Sequence, residues 1–391
     1  MAYTFRTFES IGQTNLDDWN RVHESTGDPF TDPRFLETVE RSLGDTAPCR
    51  PVIFYDERNQ AVAISTVSAC RLDAALLVGP RLRKAVGWIR RLWPNYLQFK
   101  VAMCGAPVTI LQKRLCLLPD ADSHEVLRLL DRALVEFAAQ QHARVILIGD
   151  FDADDRSRLD VLRSLGYLPA DSMPAHMLKA SFADFQEYCD CLRSNYRRQI
   201  RKDRRRFRKA GVSVEHLCGG ECSPRQFTDE FYDFYLNVLG RAEFKMTTLP
   251  PEFFREVIRQ FRDEVHLIRV SVDDQPVAFE FGLTWRGICH LLLIGYDFGK
   301  NDEYRLYINT HYEAIDCALQ QDVDIIDLGV FADAFKLRLG SQPRPRVIYV
   351  KVSGVITYPF HLFSCLLLPA IPLPMGKNVF ARFPHNKEPG R

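Results

Sequence analysis

The order of elements read along the chain predicts an α/β protein made of two copies of one mixed domain. The first observation is length: 391 residues exceed what one ordinary core accommodates, so two domains are expected. The second is a repeated order. Helix Asp122–Gln141 leads into a buried strand at Val145–Ile148, and helix Leu306–Gln320 leads into a buried strand at Val323–Leu328. After each strand come a loop carrying Gly and Phe, a short helix, LGY or LGS, and a further strand. The period is about 180 residues, too long for a solenoid and suited to a domain duplication. The third is composition: 46% hydrophobic and 26% charged residues are the values of a soluble globular protein.

The elements justify the reading in turn. Pro51–Tyr55 and Ala61–Ser68 alternate as short strands around a DERNQ turn, and Leu76–Val78 offers another. Arg81–Trp93 reads as a basic helix. After GDFDADD comes a helix ending at Leu165 with Gly166 as its stop, then a strand near His176–Ala180. The second half opens on a basic helix. Strands follow at His266–Val272, Pro276–Thr284 and Ile288–Tyr296, joined by DDQ and WRG turns. In the helix Leu306–Gln320 the apolar stripe is Ile308, Tyr312, Ile315 and Leu319, and a last strand covers Arg346–Val352. The expected division is residues 1–174, 175–352 and an apolar, Pro-rich tail 353–391, with the first boundary near Asp171–Pro174.

The N-terminus MAYTFRTFESIGQTN has neither a basic n-region nor an apolar h-region, so no secretory signal is expected. The most apolar run, Val355–Phe380, is interrupted by Pro359, Pro369, Pro372 and Pro374, which argues against a spanning helix. The 11 cysteines are scattered without zinc spacing. They are expected as reduced, buried thiols of a cytoplasmic protein, with no metal site.

Charge is concentrated in one place. Leu192–Gly211 holds ten Lys/Arg and one acid, a net +9 in a chain of net +1, so the remaining residues sum to −8. Leu192, Tyr196, Ile200 and Phe207 form one apolar stripe of that helix. Like charges at i, i+4 are destabilising, so such a helix suits an anionic partner: nucleic acid, acidic lipid or a polyphosphate-bearing cosubstrate. In Arg81–Trp93 a second stripe, Leu82, Val86, Ile89 and Trp93, is flanked by Arg81, Arg83, Lys84, Arg90 and Arg91, which suits an anionic membrane surface. The expected location is therefore cytoplasmic and peripheral on the inner face of the membrane.

Three segments carry a resemblance: NYRRQIRKDRRRFRKAG, DDQPVAFEFGLTWRGICHLLLIGYD, and YRLYINTHYEAIDCALQQDVDIIDLGVFADAFKLRLGSQPRPRVIYV. The chain resembles the GNAT acyltransferase superfamily. More closely, it resembles the tandem-GNAT proteins related to the Fem-type peptidoglycan aminoacyltransferases, well over 175–352 and loosely over 1–175. Among tandem proteins of this kind, bacterial ceramide synthases acylate a sphingoid base from acyl-CoA. The resemblance implies two tandem GNAT-like domains, each a mixed β-sheet with flanking helices. It also implies N-acyl transfer and a cleft beside FKLRLG, which places Lys336 near the donor. The superfamily's usual R/Q-x-x-G-x-G/A loop is absent, and DFGKNDEYRLY stands in its place. Most GNAT enzymes use acyl-CoA; Fem-type enzymes use aminoacyl-tRNA.

Acyl transfer to an amine needs a base, donors for an oxyanion, and a cleft. Glu280 is the expected base, because its strand face reads Ala278, Glu280, Gly282, Thr284 and leaves room for substrate. With a three-residue hairpin turn His290 shares that face; with a two-residue turn the faces invert and the pairing fails. Asp327, ending the buried strand, can hold a substrate amine or cap the next turn, and Tyr304 or Tyr307 can protonate the leaving group. Gly299, Lys300 and Arg305, between a strand end and a helix start, are expected to meet a pyrophosphate. Arg197 and Arg201 on the basic helix add donor contacts. The leading expectation is acyl transfer from acyl-CoA, a cosubstrate rather than a resident cofactor, to a lipid amine such as a sphingoid base. The alternatives are Fem-like aminoacyl transfer from tRNA to a peptidoglycan precursor, and a non-catalytic nucleic-acid-binding protein.

Overall fold

The computed structural model describes residues 2–73, 86–93, 96, 98–108, 113–242, 247–354 and 371–382. The strand expected at Leu76–Val78, the first residues of the Arg81–Trp93 helix and most of the apolar run after Gly354 lie outside them. The chain divides into two compact units. Unit 1 is Met1–Met173, Ala242–Phe253 and Pro345–Pro372; unit 2 is Pro174–Arg241, Phe254–Arg344 and Leu373–Arg391. The first crossover falls at Met173/Pro174. The last strand departs from the expected division: Arg346–Val352 pairs with Val145–Asp152 and so belongs to unit 1, not to the second half.

Unit 1 contains β1 (Thr4–Thr7), α1 (Leu16–Thr26), α2 (Pro33–Leu43), β2 (Cys49–Tyr55), β3 (Ala61–Asp73), β4 (Gln98–Cys104), β5 (Leu115–Leu117), α3 (Ser123–Gln140), β6 (Val145–Asp152), α4 (Arg156–Leu159), α5 (Val161–Ser164) and the start of β7 (Leu168–Lys179). Its strands run β1-β2-β3-β4-β6, with β5 beside β3 and only β4/β6 parallel. The helix starts follow from side-chain capping. Asn15 accepts from Asp17 and Asp18 N–H, and Asp122 accepts from His124 and Glu125 N–H. Leu127, Leu130, Leu134 and Phe137 of α3 bury one face against Val52, Phe54, Val67 and Ile148. Inside the unit a buried ion pair joins Arg114 to Asp150 at 2.6 Å, and Ser172 Oγ donates to the same carboxylate at 2.7 Å. Breaking such a pair from one side is costly, about 3–5 kcal/mol, because the other charge stays buried.

Unit 2 contains the end of β7, α6 (Phe185–Cys191), α7 (Ser194–Lys209), β8 (Val212–Leu217), α8 (Asp229–Arg241), most of α9 (Pro251–Gln260), β9 (Val265–Val272), β10 (Gln275–Trp285), β11 (Ile288–Tyr296), α10 (Phe298–Tyr304), α11 (Leu306–Leu319), β12 (Ile325–Asp327), α12 (Asp333–Lys336) and the first residues of β13 (Gln342–Val352). The strand order is β7-β12-β11-β10-β9-β8, antiparallel except for β11/β12. One sheet face packs Phe279 and Phe281 against Phe227, Phe231 and Phe254, where Phe227 and Phe254 stack at 4.4 Å and 10°. Ala278, Cys289 and Leu291 share a core cluster with α11 residues Leu306, Tyr312 and Ile315. Burying a side chain the size of Leu291, Leu306 or Ile315 contributes roughly 1.5–3 kcal/mol.

The basic helix is α7, and its buried positions are Ile200, Asp203 and Phe207. Tyr196, expected on the apolar stripe, is only partly buried. The chain's final described stretch packs back onto this unit. Val379 is fully buried, Phe380 stacks on Phe182 at 5.5 Å, and Val379 O accepts from Arg193 N–H at 2.9 Å.

The β10–β11 turn has two residues, since Trp285 pairs with Ile288. The register then shifts between Phe281 and Gly282, a bulge that leaves Leu292 without an opposite partner. Gly282 permits this by having no side chain: a Cβ there would fall on the buried His266 ring and within 2.7 Å of His290 O. Gly282→Ala is expected to lower unfolding stability by about 1–3 kcal/mol, the usual effect of overpacking a tight core, read from the urea midpoint at unchanged m-value.

Candidate active site

The candidate site is built on the middle of β10 and the first turns of α11. Glu280, paired between Ile268 and Ile294, is 1% exposed. The α11 face toward it presents His311, whose Nδ1 lies 2.8 Å from Glu280 Oε1. The two groups are close but not aligned for a hydrogen bond, and among the described residues Glu280 Oε2 is buried with no partner. A carboxylate oxygen buried without a donor is costly, about 1–3 kcal/mol or more for a charged group. Buried polar atoms without a partner are uncommon in folded proteins, and a catalytic role is one of the explanations such an atom admits.

Tyr307, one turn before His311, meets its ring edge-on at 4.8 Å and packs on Phe335 at 5.3 Å. Burial first, then the nearby Glu280 charge, raises the Tyr307 hydroxyl far above its ordinary range, so the phenol stays protonated. Phe335 also covers the His311 ring at 5.5 Å. The next residue, Lys336, is 4% exposed and donates from Nζ to Val330 O at 2.6 Å. Burial lowers its pKa to about 8, against the opposing pull of Asp327, Glu280 and Asp333. Lys336 is therefore a buried cation able to change charge in the working pH range.

A second hydrogen-bonded chain lies beside it. Asp327 accepts from Gly329 N–H at 2.9 Å, and its other oxygen is 3.1 Å from His290 Nδ1. His176 on β7 spans from Ser341 Oγ to Asp333 Oδ1, both at 3.0 Å. His266, fully buried, has its pKa lowered to about 4, by burial and then by the neighbouring His290, and stays neutral.

The residues expected from sequence are distributed as follows. Glu280 and Lys336 belong to this cluster. His290 does not share the Glu280 face: with the two-residue turn it pairs with Leu283, on the opposite side of the strand, and its partner is Asp327. Asp327 caps the following turn as well as holding His290. Gly299, Lys300 and Arg305 do not form an open loop, because Phe298–Tyr304 is helical. There Gly299 N–H is taken by Asp297 at 2.8 Å, and Tyr307 N–H by Asn301 Oδ1 at 3.0 Å. Arg305, in the left-handed region at φ 58°, joins the two helices and lies 3.6 Å from buried Asp203. Tyr304 ends α10, half-buried against the core. Arg197 donates to the carbonyls of Asp190 and Leu192 and so caps α6, while Arg201 pairs with Asp190 at 3.1 Å.

The sequence reading missed His311, His176 and Asp203. His311 had a signal: Tyr307 and His311 are one turn apart on the stripe adjoining Ile308, Tyr312 and Ile315. His176 and Asp203 could be found only by knowing which strands and helices meet.

Two cavities flank α7. One, of about 200 Å³, lies between α7 and the start of α11, lined by Tyr196, Gln199, Asp203, Arg305, Phe335 and Arg338. Phe335 links it to the Glu280–His311 cluster. The other, of about 670 Å³, is lined by Phe185, Arg201, Arg204, Arg205, Arg208 and Asp316 among others. Arg204 is fixed there by Glu313 at 2.8 Å and Asp316 at 3.3 Å, and lies 4.5 Å over the Phe185 ring.

Comparison with solved structures gives the fold. FemX superposes with a TM-score of 0.54 at 11% identity, covering 91% of this chain and 99% of that one. The C-terminal domain of a putative lysylphosphatidylglycerol synthetase from Agrobacterium fabrum gives 0.51 at 11% identity, covering 92% and 100%. A tandem GNAT protein from the clavulanic acid biosynthesis pathway gives 0.50 at 13% identity, covering 90% and 99%. Both sequence-level expectations of fold, the tandem GNAT architecture and the mixed α/β class, agree with these likenesses. The sequence matches no curated protein. A family model described as peptidoglycan biosynthesis/recognition matches residues 94–351, a span that includes every residue of the cluster just described. By that match over most of its length, the chain belongs to the FemAB-like family.

Proposed function

We propose that unit 2 transfers an aminoacyl group from charged tRNA to an amine of a peptidoglycan precursor. The observation that carries the reading is Glu280, a buried carboxylate with one oxygen unpartnered, beside His311, Tyr307 and Lys336 in the family-matched span. In this reading Glu280 Oε2 takes a proton from the acceptor ammonium. The freed lone pair attacks the ester carbonyl carbon, a C–N bond forms, and the carbonyl π pair moves to oxygen. The Lys336 ammonium stabilises that oxyanion. Collapse breaks the C–O bond to the donor, whose oxygen takes the Tyr307 phenolic proton, and the second amine proton returns to the phenolate.

The donor is argued from charge. Arg198, Arg205, Arg206, Arg208 and Lys209 are exposed on α7, and among the described residues no carboxylate pairs with them. A row of unpaired cations fits a phosphate backbone better than a single pyrophosphate. The Gly299 and Tyr307 N–H groups that a CoA pyrophosphate would use are already occupied. The family description supports the acceptor class. A second reading keeps the chemistry and changes the donor to acyl-CoA and the acceptor to a lipid amine. It is favoured by Arg305 and Arg338, two cations lining the smaller cavity beside the α11 N-terminus.

Three measurements test this reading. Glu280→Gln keeps shape and removes basicity, so turnover should fall by about 10² or more at an unchanged melting temperature; full activity would remove Glu280 from the chemistry. Lys336 is charged below about 8 and neutral above it, so kcat should decline as pH rises through about 8. Lys336→Met should lower the plateau and abolish that alkaline limb; an unaltered profile would assign the limb elsewhere. Binding of tRNA should be saturable at 0.15 M salt, and neutralising Arg198, Arg205 and Arg208 together should flatten the salt slope by roughly one unit per lost phosphate contact. Saturable binding of CoA with only weak, non-saturating tRNA binding would favour the second reading instead.

A further inference from the structure

Residues 86–93 form a helical turn with an unusual surface. Val86 anchors it, only 4% exposed, and backbone bonds run from Arg90 N–H to Val86 O and from Trp93 N–H to Ile89 O, both at 2.9 Å. From that anchor the turn exposes Trp88 at 71%, Ile89 at 40%, Leu92 at 94% and Trp93 at 66%. Four large apolar side chains within six residues are exposed together. Apart from Leu373 and Met375, the other exposed large apolar residues among those described are isolated in sequence. Contiguous exposed apolar surface on a folded protein marks a contact site.

The occupant is identified by what accompanies the apolar groups. Arg91 is exposed and lies 5.1 Å over the Trp88 ring, and Arg90 donates from Nε to Tyr96 O at 2.9 Å. No acid occurs between Val86 and Trp93. Tryptophan carries an apolar body and one N–H, a combination that settles at the boundary between acyl chains and headgroups. Arginine beside it meets anionic headgroups without leaving water. Arg91 therefore sets a cation with no carboxylate of its own turn beside the exposed indoles, the charge pattern that complements an anionic headgroup layer. The geometry points to this turn as a docking element for an anionic lipid bilayer, with Trp88, Leu92 and Trp93 entering the interface and Arg91 reading the headgroups.

The test uses the full chain and sedimentation with vesicles of phosphatidylcholine, alone or mixed with phosphatidylglycerol. The expected result is at least tenfold tighter binding to the anionic vesicles, with a blue shift of tryptophan emission and quenching by brominated acyl chains. The variant W88A/L92A/W93A should lose binding by tenfold or more at an unchanged melting temperature. R91E should reduce the preference for phosphatidylglycerol. No binding by the unaltered chain, or equal binding by the triple variant, would overturn the proposal. So would a concentration-dependent dimer that the triple variant abolishes without any vesicle binding, which would make a second copy the occupant. None of these readouts depends on transferase activity.

Discussion

The ion-pair cluster joining α7 to α11 is the constraint on which unit 2 depends. A helix with nine cations and one acid, a net +8, repels itself and has little reason to sit still on a core. Three acids hold it. Asp203 is buried on the helix itself, facing Arg305 and hydrogen-bonded to Gln199, and Glu313 and Asp316 on α11 grip Arg204. Burial alone would raise the pKa of Glu313, but hydrogen bonds from His216 and Arg204 outweigh it and hold the carboxyl below its ordinary value. The glutamate is therefore ionised, and the cluster stays charged on both sides at neutral pH. Because α7 walls both cavities, and α11 carries Tyr307 and His311, fixing one helix against the other also fixes the smaller cavity, which Phe335 joins to the Glu280–His311 cluster.

The same cluster divides the basic residues into two populations. Arg197, Arg201 and Arg204 are consumed by protein acceptors: carbonyls at the end of α6, Asp190, and the α11 acids. Arg198, Arg205, Arg208 and Lys209 are exposed and have no such partner among the described residues. Counting charge in the sequence treats all ten alike. The structure separates those that build the helix's seat from those that stay exposed to solvent.

Much of the architecture was legible in the sequence for a physical reason: strands and helices that bury one face must repeat apolar residues at the matching period. The β9–β11 meander and α11 came out within a few residues of their expected limits. The helix at Phe298–Tyr304 was not legible, because DFGKNDEY has no apolar face to betray it; its N-cap, Asp297, is the signal that was there to use. The face shared by Glu280 and any partner hinged on turn length, and the two-residue turn decided it. The Glu280–His311 contact needed a register between a strand and a helix, which no local pattern encodes. Lys336 and Asp327 were found as candidates, but their burial, which gives Lys336 its lowered pKa, belongs to packing rather than to spelling.

The assignment of Pro345–Pro372 to unit 1 has a consequence for how the protein is made. Asp152 and Arg346, partners in the same strand pair, are 194 residues apart in the chain. At ribosomal speeds of about 5–20 residues per second, the β6 edge waits roughly 10–40 s for its neighbour to emerge. During that wait Val145, Leu147 and the rest of β6 present unpaired N–H and C=O groups on that side, the kind of edge that recruits stray strands. The first unit to emerge is thus completed only after most of the second has been made, and its nascent form is the stage at which a chaperone, or a misplaced strand from another chain, has the longest opportunity to act.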